Sequence, residues 1–197
     1  MDADRLTLGR PQAAPTAACA SVSEERAARR AGWRTAVVGI SARRGVPAGG
    51  LVSFGVAGGL DGLEVGTVID ATRVVDEDGS LLWEGAGLGV IGARPGTIVA
   101  VSRLYDEPGE RKRLHEATGA DAADMESGVL AATGRLVGCV RAVSDTGTRP
   151  LGALAEAVTP SGRPRPIGFL KALAREPRET ARALGDIRRA LKALERA

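Results

Sequence analysis

Short runs of β-branched and aliphatic residues alternate with more polar, amphipathic segments along most of the chain. The apolar runs are punctuated by glycine, which is typical of buried strands rather than helices. Five such runs predict strands at residues 35–40, 51–56, 66–75, 97–104 and 137–144. Because helical segments lie between several of them, the pattern predicts an α/β fold with a mixed sheet flanked by helices.

The helical segments are marked by residues that favour helix ends. Ser23 and the acidic residues after it predict a short helix that ends near Gly32. Asp106, as an N-cap, predicts a second helix that ends at Gly119. A third helix is predicted over residues 124–133.

The end of the chain is a basic tail that carries apolar stripes. Residues 161–197 hold ten basic and four acidic side chains, whereas the whole chain has a net charge of +3, so residues 1–160 are mildly acidic. Pro177 separates two predicted helices, whose apolar positions are Ile167, Leu170, Leu173, Leu184, Ile187, Leu191 and Leu194. The tail either packs against its own domain or lies on an anionic membrane surface. We expect it to belong to the same domain as residues 1–160.

Composition excludes several classes of protein. The chain is 44% hydrophobic and 26% charged, as globular proteins are, and its five aromatic residues do not suffice for a platform that stacks nucleic-acid bases. Cys19 and Cys139 lack the spacing of a zinc site or a disulfide framework. No apolar run approaches the roughly 20 residues of a membrane span. We therefore expect a cytoplasmic protein without a nucleic-acid partner or a metal.

Two isolated signals favour structural roles. Residues 87–92 spell G-x-G-x-x-G, but no helix follows them, so they predict a loop rather than a phosphate cradle. His115 is the only histidine and lies in a charged helical segment. This excludes mechanisms in which histidine activates a serine or cysteine nucleophile.

Glycines and carboxylates stand where predicted strands end. Residues 55–59 form a glycine-rich turn, and Ser144 and Asp145 close the strand at 137–144. Asp124 and Glu126 cannot share one helix face, so one can cap a helix while the other points into a site. Ligands bind at the carboxyl ends of strands in α/β sheets, although turns and caps use the same residue types.

Taken in order, three motifs resemble the purine nucleoside phosphorylase and nucleosidase superfamily. They are S-F-G-V-A-G-G-L at 53–60, A-D-M-E-S at 123–127 and R-A-V-S-D at 141–145. The similarity covers about residues 35–148. The tail from residue 158 to 170 resembles one branch, the hopanoid-associated phosphorylases that act on adenosylhopane.

The resemblance implies cleavage of an N-ribosidic bond with phosphate or water as the attacking group, and no cofactor beyond inorganic phosphate as a co-substrate. Asp145, helped by Ser144, would protonate or hydrogen-bond N7 of the departing purine. Met125 would pack under the ribose, and Glu126 would accept hydrogen bonds from its 2′- and 3′-hydroxyls. Both carboxylates are thus implied as catalytic residues.

The resemblance also implies the surroundings of the substrate. Val56, Gly58 and Gly59 would line its site, while Gly39, Ser41 and Arg43 would hold the attacking group. The expected partners are a small or lipid-linked purine nucleoside and further copies of the chain. An adenosylhopane-cleaving enzyme would contact the inner face of the membrane peripherally, through the basic tail.

The chain departs from the family pattern at its start. Relatives open with an apolar strand that leads to a carboxylate, whereas M-D-A-D-R-L predicts that the first strand is missing and puts Asp4 near the place of that carboxylate. Val56 stands where many relatives carry a serine. Two interpretations stay open: an adenine-releasing enzyme, or a catalytically weakened member that binds ligands or other subunits.

Overall fold

A mixed sheet forms the centre of the protein in this computed structural model, which describes residues 14–60, 62–157 and 166–197. The strands in these ranges are β1 Thr16–Cys19, β2 Arg34–Val37, β3 Leu51–Gly59, β4 Val68–Val75, β5 Leu81–Glu84, β6 Arg94–Ala100, β7 Ala122–Asp124 and β8 Leu136–Asp145. The helices are α1 Val22–Arg30, α2 Pro108–Thr118, α3 Ser127–Ala131, α4 Pro166–Arg175 and α5 Pro177–Leu194.

Strand pairing closes part of the sheet into a ring. β1 lies between β2 and β3 and is parallel to both. β3 then pairs with β8 in parallel along most of its length and with β7 at its end. Because β8 pairs with β4, β4 with β6 and β6 with β7, the ring returns to β3. The carboxyl ends of β3 and β8 therefore meet beside β7, which runs antiparallel to β3.

The predicted α/β class, a mixed sheet flanked by helices, is confirmed, but the prediction that the first strand is missing is wrong. β1 is that strand, and Ala17, Ala18 and Cys19 in it are fully buried. Alanine and cysteine are weak strand formers, so the segment shows no strand pattern. Pairing on both sides stabilises β1, and its small side chains leave room for α1.

The helix starts also differ from those predicted. α1 begins after Ser21, whose hydroxyl accepts the Glu24 N–H while the Glu24 carboxylate accepts the Ser21 N–H, which is a capping box. α2 has Glu107 at its N-cap. Asp106 instead accepts the N–H groups of Leu151 and Gly152, so its side chain ties the loop after β8 to the start of α2.

The segment predicted as one helix over 124–133 is split in two. Its first residue belongs to β7, and α3 follows after two residues. Asp124 accepts the Ser127 N–H and hydroxyl at the start of α3. Asp124 therefore holds the first residue of α3, although the N-cap position itself is Glu126, whose side chain makes no capping bond and points elsewhere.

The basic tail packs on the sheet through α5. Leu194 lies fully buried beside Val52 and Phe54, and Asp186 in the same helix accepts two hydrogen bonds from Arg149, at 2.9 and 2.7 Å. The apolar side of α5 thus covers the sheet, as the packing interpretation predicts. Arg188, Lys192 and other basic residues remain exposed on its other side.

Residues 87–92 form a loop, as predicted. The Asp70 carboxylate accepts the N–H groups of Leu88, Gly89 and Val90, so the donors that a phosphate would need are already taken. Asp4 and the linker at 162–165 lie outside the described residues, as do the side chains of Ile167 and Leu170. Within the described ranges, no helix combines the length and the apolar character needed to cross a membrane.

Candidate functional site

Two groups of mostly buried polar and charged side chains lie around β3, β7 and β8. We name them by their central members: the Arg141 cluster contains Glu24, Asp124, Glu126 and Arg141, and the Asp145 cluster contains Asp106, Arg111, Ser144 and Asp145. Arg141 and Asp145 lie four residues apart on β8, which separates their Cα atoms by about 13 Å. Charged side chains are rarely buried without a partner, so both clusters need an explanation.

Arg141 is fully buried and binds carboxylates and a hydroxyl. Its Nη2 pairs with Oδ2 of Asp124, donates to Oγ of Ser53 at 2.6 Å and lies 3.6 Å from Oε2 of Glu126. Its Nε finds no hydrogen-bond partner among the described residues. One guanidinium thus serves several carboxylates and keeps an unused donor.

Glu24 enters the same cluster from the first turn of α1. Its Oε2 accepts the Ser21 N–H at 2.7 Å, and its Oε1 accepts the Val56 N–H at 2.9 Å. A Cβ at residue 55 would overlap both the Glu24 carboxylate and the Arg141 guanidinium. Gly55 is therefore required for β3 to approach this pair.

Glu126 is held by a strained turn. Its Oε1 accepts the N–H of Ser41 at 3.1 Å. Ser41 and Ala42 have φ values of 52° and 51°, which only a few per cent of residues other than glycine adopt. Strain of this kind persists where the surrounding structure enforces it and is frequent at functional sites.

The environment of Glu126 favours its neutral form. Burial raises the pKa of Glu126 to about 8; Arg141 opposes this rise, whereas Asp124 and Glu24 add to it. A carboxyl with such a pKa holds its proton at pH 7. Strongly raised values inside a cluster of charges are frequent in active sites.

In the Asp145 cluster, both carboxylate oxygens of Asp145 are engaged. Oδ1 accepts the hydroxyl of Ser144 at 2.7 Å, and Oδ2 pairs with Nη2 of Arg111. Burial raises the pKa of Asp145, while Arg111 and Ser144 partly offset this rise. A register shift between Ala57 and Gly58 places Gly58 opposite Asp145.

The structure brings six of the ten residues that sequence reasoning selected into two separate groups. Asp145 and Ser144 adjoin Gly58 and Gly59, and Glu126 contacts Ser41, which follows the Gly39 turn in the chain. Val56 contributes its backbone to Glu24, but its side chain packs with the Phe54 core cluster.

Two other selected side chains point to different surroundings. Met125 is half-buried and packs with Leu60 and Val101. Arg43 is exposed on the turn that carries Ser41. In this structure neither side chain therefore takes part in the two clusters.

Sequence reasoning missed Glu24, Arg111 and Arg141 as site residues. The spacing of Ser21 and Glu24 is a capping-box signal that locates the carboxylate. Arg141 is a basic residue inside an apolar strand, and a charge at such a position indicates a buried partner of opposite charge. Arg111 lies in a charged segment, 110–113, and nothing local distinguishes it from its neighbours.

No protein-family model matches this chain, and no curated protein matches it in sequence. Solved structures share its fold. The 5′-methylthioadenosine nucleosidase of Arabidopsis thaliana matches with a TM-score of 0.53 and 16% identity over 94% of this chain and 97% of that chain. The S-adenosylhomocysteine nucleosidase of Streptococcus pyogenes, in complex with 5-methylthiotubericidin, gives 0.54 and 14% over 92% and 98%.

A mutant futalosine hydrolase of Helicobacter pylori matches over a smaller part, with a TM-score of 0.53 and 14% identity over 68% of this chain and 92% of that chain. At these identities the similarity establishes the fold alone, which this chain shares with these solved nucleosidase structures. The predicted resemblance is confirmed at this level.

Proposed function

We propose that this protein cleaves the N-ribosidic bond of a purine nucleoside. The observation that carries the proposal is the pair of buried carboxyls, Glu126 and Asp145, at neighbouring strand ends in a nucleosidase fold. Their environments differ: Glu126 shares one guanidinium with other carboxylates, whereas Asp145 has Arg111 and Ser144. Titratable groups in contrasting environments are suited to separate acid and base tasks.

In this proposal the two carboxyls act on opposite ends of the nucleoside. Asp145 gives a proton to N7 of the purine, so that the electrons of the breaking C1′–N9 bond leave with a neutral base. Glu126, in its ionised form, accepts hydrogen bonds from the ribose hydroxyls and stabilises the positive charge that develops at C1′. Burial strengthens both interactions because little water screens them.

We propose water rather than phosphate as the attacking group. Arg141 already pairs with Asp124 and faces Glu126 as well, and Glu24 adds a third carboxylate. A phosphate dianion placed there would meet more negative than positive charge. In this proposal Glu24 takes the proton of a water whose oxygen bonds to C1′.

Hydrolysis predicts a turnover that is independent of phosphate. We expect adenosine or a related nucleoside to give free ribose, at the same rate with and without inorganic phosphate. Glu24→Gln lowers kcat by about 10²-fold because the amide takes up no proton. Glu25→Gln, on the next residue of α1, is the matched control and keeps wild-type kcat. Formation of ribose 1-phosphate would show that the reaction is phosphorolysis.

For the substrate we propose adenosylhopane, from which adenine is released in hopanoid biosynthesis. The support is the resemblance of residues 158–170 to the hopanoid-associated branch. We expect kcat/KM for adenosylhopane in mixed vesicles to exceed that for adenosine, measured by chromatography of free adenine. A clear preference for adenosine would contradict this substrate and leave nucleoside cleavage intact.

We also propose that the exposed basic side of α5 contacts anionic membranes peripherally. Each basic residue near anionic lipid contributes about 1 kcal/mol, so replacing Arg188, Lys192 and Arg196 together by glutamate abolishes co-sedimentation with anionic vesicles. Wild-type binding weakens as salt is raised. Equal sedimentation of both proteins, or binding that ignores salt, would exclude this contact.

One observation favours the alternative of a binding domain without turnover. Asp145 has no free oxygen for a purine, because Ser144 and Arg111 occupy both. A protein of this kind would bind a ligand or another subunit and leave nucleosides intact. The product assay above separates it from an enzyme.

A further inference from the structure

Arg111 is an arginine of α2 whose side chain reaches into the interior at the end of β8. It is 2% exposed, and its Nη1 donates to the carbonyl oxygen of Gly59 at 3.0 Å. Its Nε is buried and has no hydrogen-bond partner among the described residues. A buried donor without a partner costs about 1–3 kcal/mol, so this arrangement of Arg111 is not fully satisfied.

Two carboxylates compete for the same guanidinium. Nη2 of Arg111 pairs with Oδ2 of Asp145, and it also lies 3.4 Å from Oδ1 of Asp106. Asp145 is the inner partner, with a side chain 4% exposed, and Asp106 is the outer partner, at 30%. The guanidinium thus has a second acceptor within ion-pair distance, nearer to solvent.

We propose that Arg111 is a positioning residue that closes the purine site by pairing with Asp145 and opens it by moving to Asp106. This inference rests on the proposed function, because it takes Asp145 as the group that meets the purine. Without such a movement, both Asp145 oxygens stay engaged and N7 of a nucleoside finds no proton donor.

The movement has a low free-energy cost because the Arg111 cation is paired with a carboxylate at both positions. Leaving a buried charge without a partner costs about 3–5 kcal/mol, whereas transfer between two carboxylates avoids most of this penalty. As Arg111 shifts toward Asp106, the positive charge that opposes protonation of Asp145 moves away from it and opposes it less. Opening the site and preparing the acid are then one event.

Asp106 couples this movement to the neighbouring loop. Its oxygens accept the N–H groups of Leu151 and Gly152, so closer pairing with Arg111 competes with these bonds. Residues 146–149 of this loop, together with Gly59, line a cavity of about 480 Å³. Release of Asp145 and loosening of the cavity wall therefore occur together.

The experiment measures the Kd of adenine by calorimetry, since the free base probes this end of the site without turnover. Arg111→Met removes the closing cation, and we expect adenine to bind about 5–10-fold more tightly. Asp106→Asn keeps an acceptor for the loop but removes the charge that stabilises the open position. It weakens binding by about 3–10-fold.

The double variant Arg111→Met/Asp106→Asn provides the decisive comparison. Without the Arg111 guanidinium, the charge of Asp106 no longer affects the site, so we expect the double variant to have the same Kd for adenine as Arg111→Met. Arg113→Met, an exposed arginine on the same helix, is the matched control and leaves the Kd unchanged. If Arg111→Met fails to fold, Asp106→Asn at the surface still tests the proposal.

If Arg111 has only a structural role, the Arg111 and Asp106 variants have lower melting temperatures, but their Kd values for adenine do not move in opposite directions. This result would overturn the proposal. Weaker adenine binding by Arg111→Met would also overturn it. If wild type cleaves a nucleoside but the Kd values do not change, only the role of Arg111 is lost. If neither wild type nor any variant binds adenine, both the role of Arg111 and the proposed nucleoside cleavage are contradicted. If Arg111→Met binds adenine and wild type does not, both are supported.

Discussion

Asp145→Asn is expected to lower kcat by about 10²–10⁴-fold on a purine nucleoside, because an amide forms hydrogen bonds but transfers no proton. It also destabilises the protein. The change removes the inner carboxylate of a buried ion pair, which costs less than the roughly 3–5 kcal/mol of a fully unpaired charge because Arg111 keeps Asp106 within ion-pair distance. Stopped assays of base release and urea unfolding measure the two effects separately.

The double variant Arg111→Met/Asp145→Asn separates chemistry from folding. It removes both charges of the buried pair, so it regains much of the lost stability but none of the activity. Asp78→Asn changes an exposed aspartate and serves as the control for both assays. A double variant that recovers turnover together with stability would show that Asp145 only holds Arg111.

Periodicity and glycine punctuation were enough to predict the central strands. β4 and β8 carry several β-branched residues and β3 carries two valines and a phenylalanine, and the preference of these residues for strands agrees with their burial. β1 was not predictable in this way because its T-A-A-C sequence has little preference of its own. It is a strand because two neighbours pair with it, which is information that the local sequence does not contain.

The candidate site likewise has a part that the local sequence predicts and a part that it does not. Asp145 and Glu126 stand at strand and helix ends, and their motifs marked them. The partners that set their chemistry come from distant parts of the chain: Ser41 is 85 positions from Glu126, and Arg111 is 34 positions from Asp145. A pattern read along the chain identifies the carboxyls, whereas the protonation state of each depends on such long-range contacts.

Glu126→Gln is expected to stabilise the protein at alkaline pH. The pKa of Glu126 is about 8 in the folded protein, above the usual 4.5, so the unfolded chain releases this proton first as the pH rises. Wild type therefore loses stability between about pH 4.5 and 8, by at most about 1.4 kcal/mol per pH unit, and regains none above that range. The glutamine variant does not lose stability in this way, because glutamine has no proton to release. Urea unfolding at pH 5, 6.5 and 8 measures it, with Glu84→Gln as the exposed control.

The same substitution is expected to reduce kcat, because a neutral amide stabilises the charge at C1′ less than a carboxylate does. In wild type, kcat/KM should rise with pH up to about 8, as free Glu126 loses its proton, and the variant should lose this limb. A raised KM with unchanged kcat would mean that Glu126 only binds the ribose. Equal stability slopes for wild type and variant would mean that Glu126 is ionised throughout, with Arg141 outweighing its burial. Greater stability with lower kcat would show that the carboxyl is kept for chemistry at the expense of stability.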